Sequence, residues 1–192
     1  ARLREQRPDA YLSSFVTWAP INEDILSSAE AQAEFTWDDP SDSAGGDRAV
    51  TQAVVEHLAA ETPHALFVHL DEIDHQGHVM GFNPDVPEYV DAIEVVDSQI
   101  DQMLDAIEAR PSYTDEDWLI VVTTDHGGIG QGHGGQTEEE RTIFIIVAGG
   151  GAAAGSVVSP GPGHTAVPPT VMKHLGLPVD PAWGWESEPF GL

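Results

Sequence analysis

Trp118-Leu119-Ile120-Val121-Val122-Thr123 runs directly into Thr124-Asp125-His126-Gly127-Gly128. The first segment has the length and β-branched content of a buried strand. The second places a carboxylate and an imidazole just past its carboxyl end. The same pattern occurs upstream, where Ala65-Leu66-Phe67-Val68-His69-Leu70 is followed by Asp71-Glu72-Ile73-Asp74-His75-Gln76-Gly77-His78. Two further apolar runs read as strands: Ser14 to Ala19, ended by Pro20, and Thr142 to Val147. Helical stretches lie between them. Asp47 reads as the N-cap of a helix carrying Val50, Val54 and Leu58 on one face. Pro87 suits the first turn of a long helix with the stripe Val90, Ile93, Val96, Ile100, Met103, Leu104 and Ile107, stopped by Pro111. A short last helix runs from Pro168 or Pro169 to Leu175 and closes at Gly176. Residues 38–47 and 149–163 read as loops.

Near-continuous apolar strands alternating with helices predict a sheet covered on both faces. The expected class is therefore α/β: a three-layer α/β/α sandwich with a mostly parallel sheet, forming one domain over residues 1–192. Ligands of such sheets sit at the carboxyl ends of the strands, which is where the polar clusters fall.

Composition narrows the function. The 192 residues carry 33 Asp and Glu against 7 Lys and Arg, a formal charge of −26. Such a surface repels nucleic-acid backbones and anionic lipid. No apolar run approaches the roughly 20 residues of a membrane helix. With no Cys, disulfides, thiolate metal sites and a Cys nucleophile are excluded. Lys173 is the only lysine. Carboxylates in excess over lysine suit a protein adapted to high salt, or an ordinary acidic secreted or periplasmic one.

Three elements carry chemistry. Asp74 and His78 are four residues apart, so a helical turn or a tight loop aims both at one cation. Asp125 and His126 share a strand end, where a bend brings both to one site. His164, in Gly161-Pro162-Gly163-His164-Thr165, sits in a Gly/Pro loop ahead of a helix. Carboxylate and imidazole donors suit Zn²⁺, Mn²⁺ or Fe. Taken singly, each element reads more readily as a polar loop with a histidine in it, or a helix cap beside a surface one. His133, in Gly132-His133-Gly134-Gly135, lies close to the second cluster, and that run lacks the Lys and Ser/Thr of a nucleotide-binding P-loop. His57, His64, His69, His75 and His174 have no such setting and read as structural or surface residues.

Together the segments HLDEIDHQGH (69–78), TTDHGG (123–128) and GHTAVPPTVMKHLGLP (163–178) change the reading. Their order resembles the alkaline phosphatase superfamily, and within it the type I phosphodiesterase/nucleotide pyrophosphatase branch. The likeness runs from about Ser14 to Gly176. It departs at Ala166, where the superfamily often has an Asp that is not a metal ligand. The resemblance implies a two-metal site. Asp74, His78 and His164 match the ligands of one metal, and Asp125 and His126 match two ligands of the other. Zn²⁺ is the first expectation, with Mn²⁺ or Fe accepting the same donors. His133 resembles the histidine that some sulfatase-like members place after Asp-His-Gly, and it is the candidate substrate contact, with a loop histidine as the alternative. The substrate implied is a small phosphate ester, and the location extracytoplasmic or secreted.

The resemblance also implies a Thr or Ser nucleophile, with a further Asp, upstream of Ser14. The residues before Ser14 offer only Asp9 and Ser13, at the wrong spacing. The expectation is thus that no catalytic nucleophile lies in this chain, and that the chain is the C-terminal portion of a longer catalytic domain. The expected function is metal-dependent hydrolysis of phosphate esters. The alternatives are a non-catalytic metal-binding module that has lost its nucleophile, and a sulfatase-like esterase.

Overall fold

The computed structural model describes residues 2–26, 35–38 and 46–192. The chain divides into two compact units, Ala1–Tyr113 with Gly128–Gly132, and Thr114–Gly127 with His133–Leu192.

The first unit opens with the short helix α1 (Arg2–Gln6) and strand β1 (Leu12–Val16), followed by a π-turn at Ile21–Ile25. Strand β2 (Phe35–Asp38), helix α2 (Gly46–Ala60), strand β3 (Ala65–His69) and helices α3 (Glu72–Met80) and α4 (Pro87–Glu108) complete it. β1 lies between β2 and β3 and is parallel to both. Parallel strands are commonly buried on both faces, and in β1 Ser13, Ser14, Phe15 and Val16 are all buried. A serine is tolerated there only if its hydroxyl is bonded. Ser13 Oγ meets His57 Nε2 at 2.8 Å, and Ser14 Oγ donates to Asn22 Oδ1 at 2.7 Å.

α2 covers the sheet with Val50, Val54 and Leu58, the three positions expected, all fully buried. Each contributes about 1.5–3 kcal/mol relative to an exposed side chain. α4 packs on α2 and α3. Its buried stripe is Ala92, Val96, Gln99, Met103 and Ile107, whereas Ile93 is 43% exposed. The expected stripe is thus out of phase near its start, because the helix turns the smaller Ala92 toward its neighbours. Past the helix end, Arg110 is buried and donates to Leu58 O, to Glu61 O at 2.8 Å and to the Thr62 hydroxyl at 3.1 Å. It ties the end of α4 to the end of α2.

The second unit holds strand β4 (Leu119–Thr123), helix α5 (Glu138–Arg141), strand β5 (Ile145–Gly149) and helix α6 (Val167–His174). β4 and β5 pair antiparallel, Leu119 opposite Gly149 and Thr123 opposite Ile145. Apolar content does not encode strand direction, so this pairing departs from the parallel expectation while β1, β2 and β3 keep to it. The Thr142–Val147 strand also shifts, to Ile145–Gly149. α5 is the cause: Thr137 and Glu140 form a reciprocal capping box and Thr142 serves as the helix C-cap. Phe67 and Ile146 are 49% and 56% exposed, so these strands are less covered than their apolar runs suggested.

The segment from Trp183 to Phe190, which carries two Trp and a Phe, packs on its own unit. Phe190 N donates to Thr170 Oγ1 at 3.0 Å, and the Thr165 and Ser187 hydroxyls meet at 2.6 Å. Of the expected 38–47 loop, residues 39–45 lie outside the described residues, and Gly46 and Asp47 are helical. Among the described residues, no helix is long and apolar enough to cross a membrane.

Candidate metal and phosphoester site

The first cluster lies on α3, which starts just past the carboxyl end of β3. Asp74 and His78 are one turn apart and share a face. His78 Nε2 stands 3.3 Å from Asp74 Oδ2. His78 Nδ1 is 2.9 Å from Gln131 O. A carbonyl only accepts, so this bond puts the hydrogen on Nδ1 and the lone pair on Nε2, the atom facing the carboxylate. Metal-ligating histidines characteristically give their second ring nitrogen to such a partner, which fixes tautomer and ring plane.

Both ends of α3 are held. At its C-terminal end, Phe82 N donates to Gly130 O at 2.7 Å, and Gln131 Nε2 donates to Val79 O at 2.7 Å. Phe82 is the packing centre. Its ring meets His78 edge-on at 5.5 Å and Tyr89 at 5.7 Å between centroids. A Cβ on Gly77 or Gly128 would run into the Phe82 ring, so glycine is required at both positions. The Tyr89 hydroxyl titrates above its usual range, mainly through burial and secondarily through the Asp74 charge.

The second cluster follows β4. His126 Nδ1 is 2.9 Å from Gly127 O, so Nε2 again holds the lone pair, 3.7 Å from Asp125 Oδ1. His133 stacks on His126, with centroids 3.7 Å apart and planes 17° from parallel. The third element, His164, places Nε2 2.7 Å from Thr124 O, which leaves its lone pair on Nδ1. Asp125 and His164 line a cavity of about 560 Å³ together with Glu140, Arg141, Thr142 and Gly163. Arg141 is the one permanently charged cation in that lining. The Glu140 carboxyl sits below the usual carboxylate range, first because Thr137 Oγ donates to it, then through the Gly135 and Thr137 amides and the nearby His133.

Within the first unit, then, Asp74 and His78 come together. Within the second, Asp125, His126 and His133 form one group, and Asp125 and His164 share a cavity. The donor chemistry fits divalent cations: carboxylates beside imidazoles, with His78, His126 and His164 each committing one ring nitrogen to a backbone carbonyl. His174 makes a similar bond to Asp117 O at 2.9 Å, so the feature supports a ligand only together with the motif around it. His57 and His64 are structural, as expected: one meets Ser13, and the other accepts from Tyr11 N at 2.9 Å. Phe82 and Gln131 escaped the sequence reading, and Asp47 was read only as the cap of its own helix. The glycines at 77 and 128 signalled a close approach without naming what approaches.

Residues 6–133 match the family of type I phosphodiesterase / nucleotide pyrophosphatase. That segment contains Asp74, His78, Asp125, His126 and His133, and His164 lies beyond it. The chain is also similar to GPI ethanolamine phosphate transferase 3 of Schizosaccharomyces pombe, at 28% identity over 168 residues, 85% of this chain and 17% of the relative. Its fold resembles that of Leishmania mexicana phosphoglycerate mutase, crystallised at low cobalt concentration. There the TM-score is 0.61 and the identity 15%, over 95% of this chain and 37% of the other. The chain thus spans well under two thirds of either relative. All three comparisons fall in the alkaline phosphatase superfamily, whose members share an α/β fold and typically bind divalent metals. The chain, on the match over residues 6–133, belongs to the type I phosphodiesterase / nucleotide pyrophosphatase family.

Proposed function

We propose that this chain supplies most of the metal ligands of a divalent-metal-dependent hydrolase of small phosphate esters. In this reading Asp74, His78 and His164 hold one cation, and Asp125 and His126 hold the other. Zn²⁺ is the first choice, with Mn²⁺ or Fe as alternatives. When bound, the cations supply positive charge that stabilises the oxygens on phosphorus and lowers the pKa of a coordinated hydroxyl. His133 contacts the substrate, and Arg141 offsets its negative charge from the cavity beside Asp125. The Thr or Ser nucleophile comes from a segment preceding Ser14.

One observation carries the reading beyond family membership. His78, His126 and His164 each commit one ring nitrogen to a backbone carbonyl, and so keep one lone pair in a known place. His174 makes the same kind of bond, so the arrangement counts for these three because each also stands in its metal motif. The −26 charge of the chain does not oppose phosphate binding, because bound cations act at a few ångströms while distant carboxylates are screened by salt.

A second reading comes from the Schizosaccharomyces pombe relative, named a phosphate transferase. There an alcohol in place of water would take the phosphoryl ester. The two readings share the metal site and differ in the acceptor.

The test is cleavage of bis(4-nitrophenyl) phosphate by the full-length protein that contains this chain. The measurement is made as purified, after EDTA, and after Zn²⁺ is restored. The proposal expects activity to disappear with EDTA and return with Zn²⁺. Adding an alcohol acceptor and identifying the product separates hydrolysis from transfer. Activity indifferent to EDTA would remove the metal from the reaction, and no turnover of any phosphate ester by the zinc-loaded protein would leave a non-catalytic module.

A further inference from the structure

Asp47 was expected to cap its own helix. It lies instead in the first turn of α2 and is 2% exposed. A buried carboxylate must be hydrogen-bonded. Oδ1 of Asp47 accepts from Thr17 Oγ1 at 2.6 Å and from Asp71 N at 2.8 Å, and Oδ2 accepts from Glu72 N at 2.9 Å. The two amides open α3. The first amides of a helix have no partner within it and form the positive end of its dipole. Asp71, the N-cap by position, makes no side-chain cap of its own. Asp47 therefore performs the capping, from 24 residues upstream.

The arrangement is locked to the sheet as well. Thr17 N donates to His69 O at 3.2 Å, so the residue that bonds Asp47 also bonds the last residue of β3. Residues 130 and 131 hold the other end of α3. Asp74 and His78 thus lie on a helix of nine residues fixed at both ends, and Asp47 fixes the end nearer Asp74.

We infer that Asp47 is a positioning residue for the metal site: its carboxylate sets the entry and rotation of α3, so that Asp74 and His78 present their donors to one cation. The inference rests on the proposal that these two residues are ligands. Asp47 itself touches neither metal nor substrate. The carboxylate is required because it accepts on both oxygens. An asparagine of the same shape would turn an N–H toward one of the α3 amides and lose that bond.

The test uses Co²⁺ as the probe, after EDTA treatment and dialysis. Visible absorption reports the ligand geometry, titration reports affinity, and hydrogen exchange reports the Asp71 and Glu72 amides. Asp47→Asn is expected to weaken Co²⁺ binding about 10- to 100-fold, the usual effect of losing a group that orients a ligand. It should also alter the visible spectrum and speed exchange of one of the two amides, with thermal unfolding still cooperative. A folded Asp47→Asn with unchanged affinity and spectrum overturns the inference. Thr17→Val covers the case in which Asp47→Asn does not fold. It removes one bond to the carboxylate, and an affinity identical to wild type counts against the inference. His78→Ala separates the two layers. If it binds Co²⁺ like wild type, the ligand assignment fails and the positioning role with it. If it loses Co²⁺ while Asp47→Asn does not, only the positioning role fails.

Discussion

His126 and His133 lie face to face, with ring centroids 3.7 Å apart and planes 17° from parallel. The stack fixes the plane of one ring by the other. It joins a residue proposed to hold metal to one proposed to meet substrate. The two roles predict different losses. His133→Ala should leave the metal content of the protein unchanged and raise KM for a phosphate ester roughly tenfold or more, the worth of one hydrogen bond to a charged group. His133→Phe keeps the stack and removes the polar contact, so it should raise KM to the same extent. Steady-state kinetics beside metal analysis checks this. A His133→Ala protein that loses metal with KM unchanged would reverse the assignment.

Gly77 and Gly128 both lie against the ring of Phe82, which also packs on His78. Gly77→Ala should cost about 1–3 kcal/mol through overpacking. It should weaken Zn²⁺ binding, because α3 must shift to make room. Phe82→Leu should relieve much of that cost when combined with it. A double-mutant cycle by urea denaturation measures the coupling. Additive effects of the two substitutions would mean that the crowding is absent.

Burial holds the His57 imidazole below its usual pKa of 6.5, against the smaller opposing effect of Glu61. In the unfolded chain that residue takes a proton more readily than in the folded one. Its contribution to stability is therefore complete above about pH 6.5 and is lost as pH falls through that value toward the lower folded pKa. Melting temperature should decline between pH 7 and pH 5, and His57→Gln should decline less steeply. Parallel profiles for the two proteins would contradict the assignment.

Arg110 donates to Leu58 O, Glu61 O and the Thr62 hydroxyl from a buried position. Arg110→Ala strands buried carbonyls and should cost roughly 2–3 kcal/mol. Arg110→Lys should recover little, because an ammonium cannot reproduce the planar fork. The midpoint of urea unfolding gives the answer. A shift within error for Arg110→Ala would show that water replaces these bonds.

The charge of −26 predicts a melting temperature that rises by several degrees from low salt to molar KCl, as screening relieves self-repulsion. Highest stability without salt would count against adaptation to a saline environment.

What could be read in the sequence follows a physical line. Apolar runs and helix stripes located β3, β4, α2 and α6, because burial and period leave direct marks on composition, and the polar residues past β3 and β4 are those proposed here as the site. Strand direction left none, and β4 with β5 proved antiparallel. The start of α4 was misphased at Ile93 because Ala92 is small enough to carry the helix contact. Asp47 was misread because an acid at a helix start is normally its own cap. Its true partners, Asp71 N and Glu72 N, are backbone groups with no signature in the residue types. The strand after α5 was placed early, although Thr137 and Glu140 carry a capping-box spacing that would have moved it. His78, His126 and His164 are proposed as ligands from their motifs. The backbone carbonyls that orient them are visible only in the fold.

Asp74, His78, Asp125, His126 and His164 are proposed to hold divalent metal. The most direct measurement is zinc per chain, by elemental analysis after dialysis against a fixed low free Zn²⁺ concentration, for wild type, His78→Ala and His126→Ala. Bound zinc is expected in the wild type and a clear loss in each variant, with His133→Ala unaffected. Equal zinc in wild type, His78→Ala and His126→Ala, or none in the wild type, would contradict the proposal.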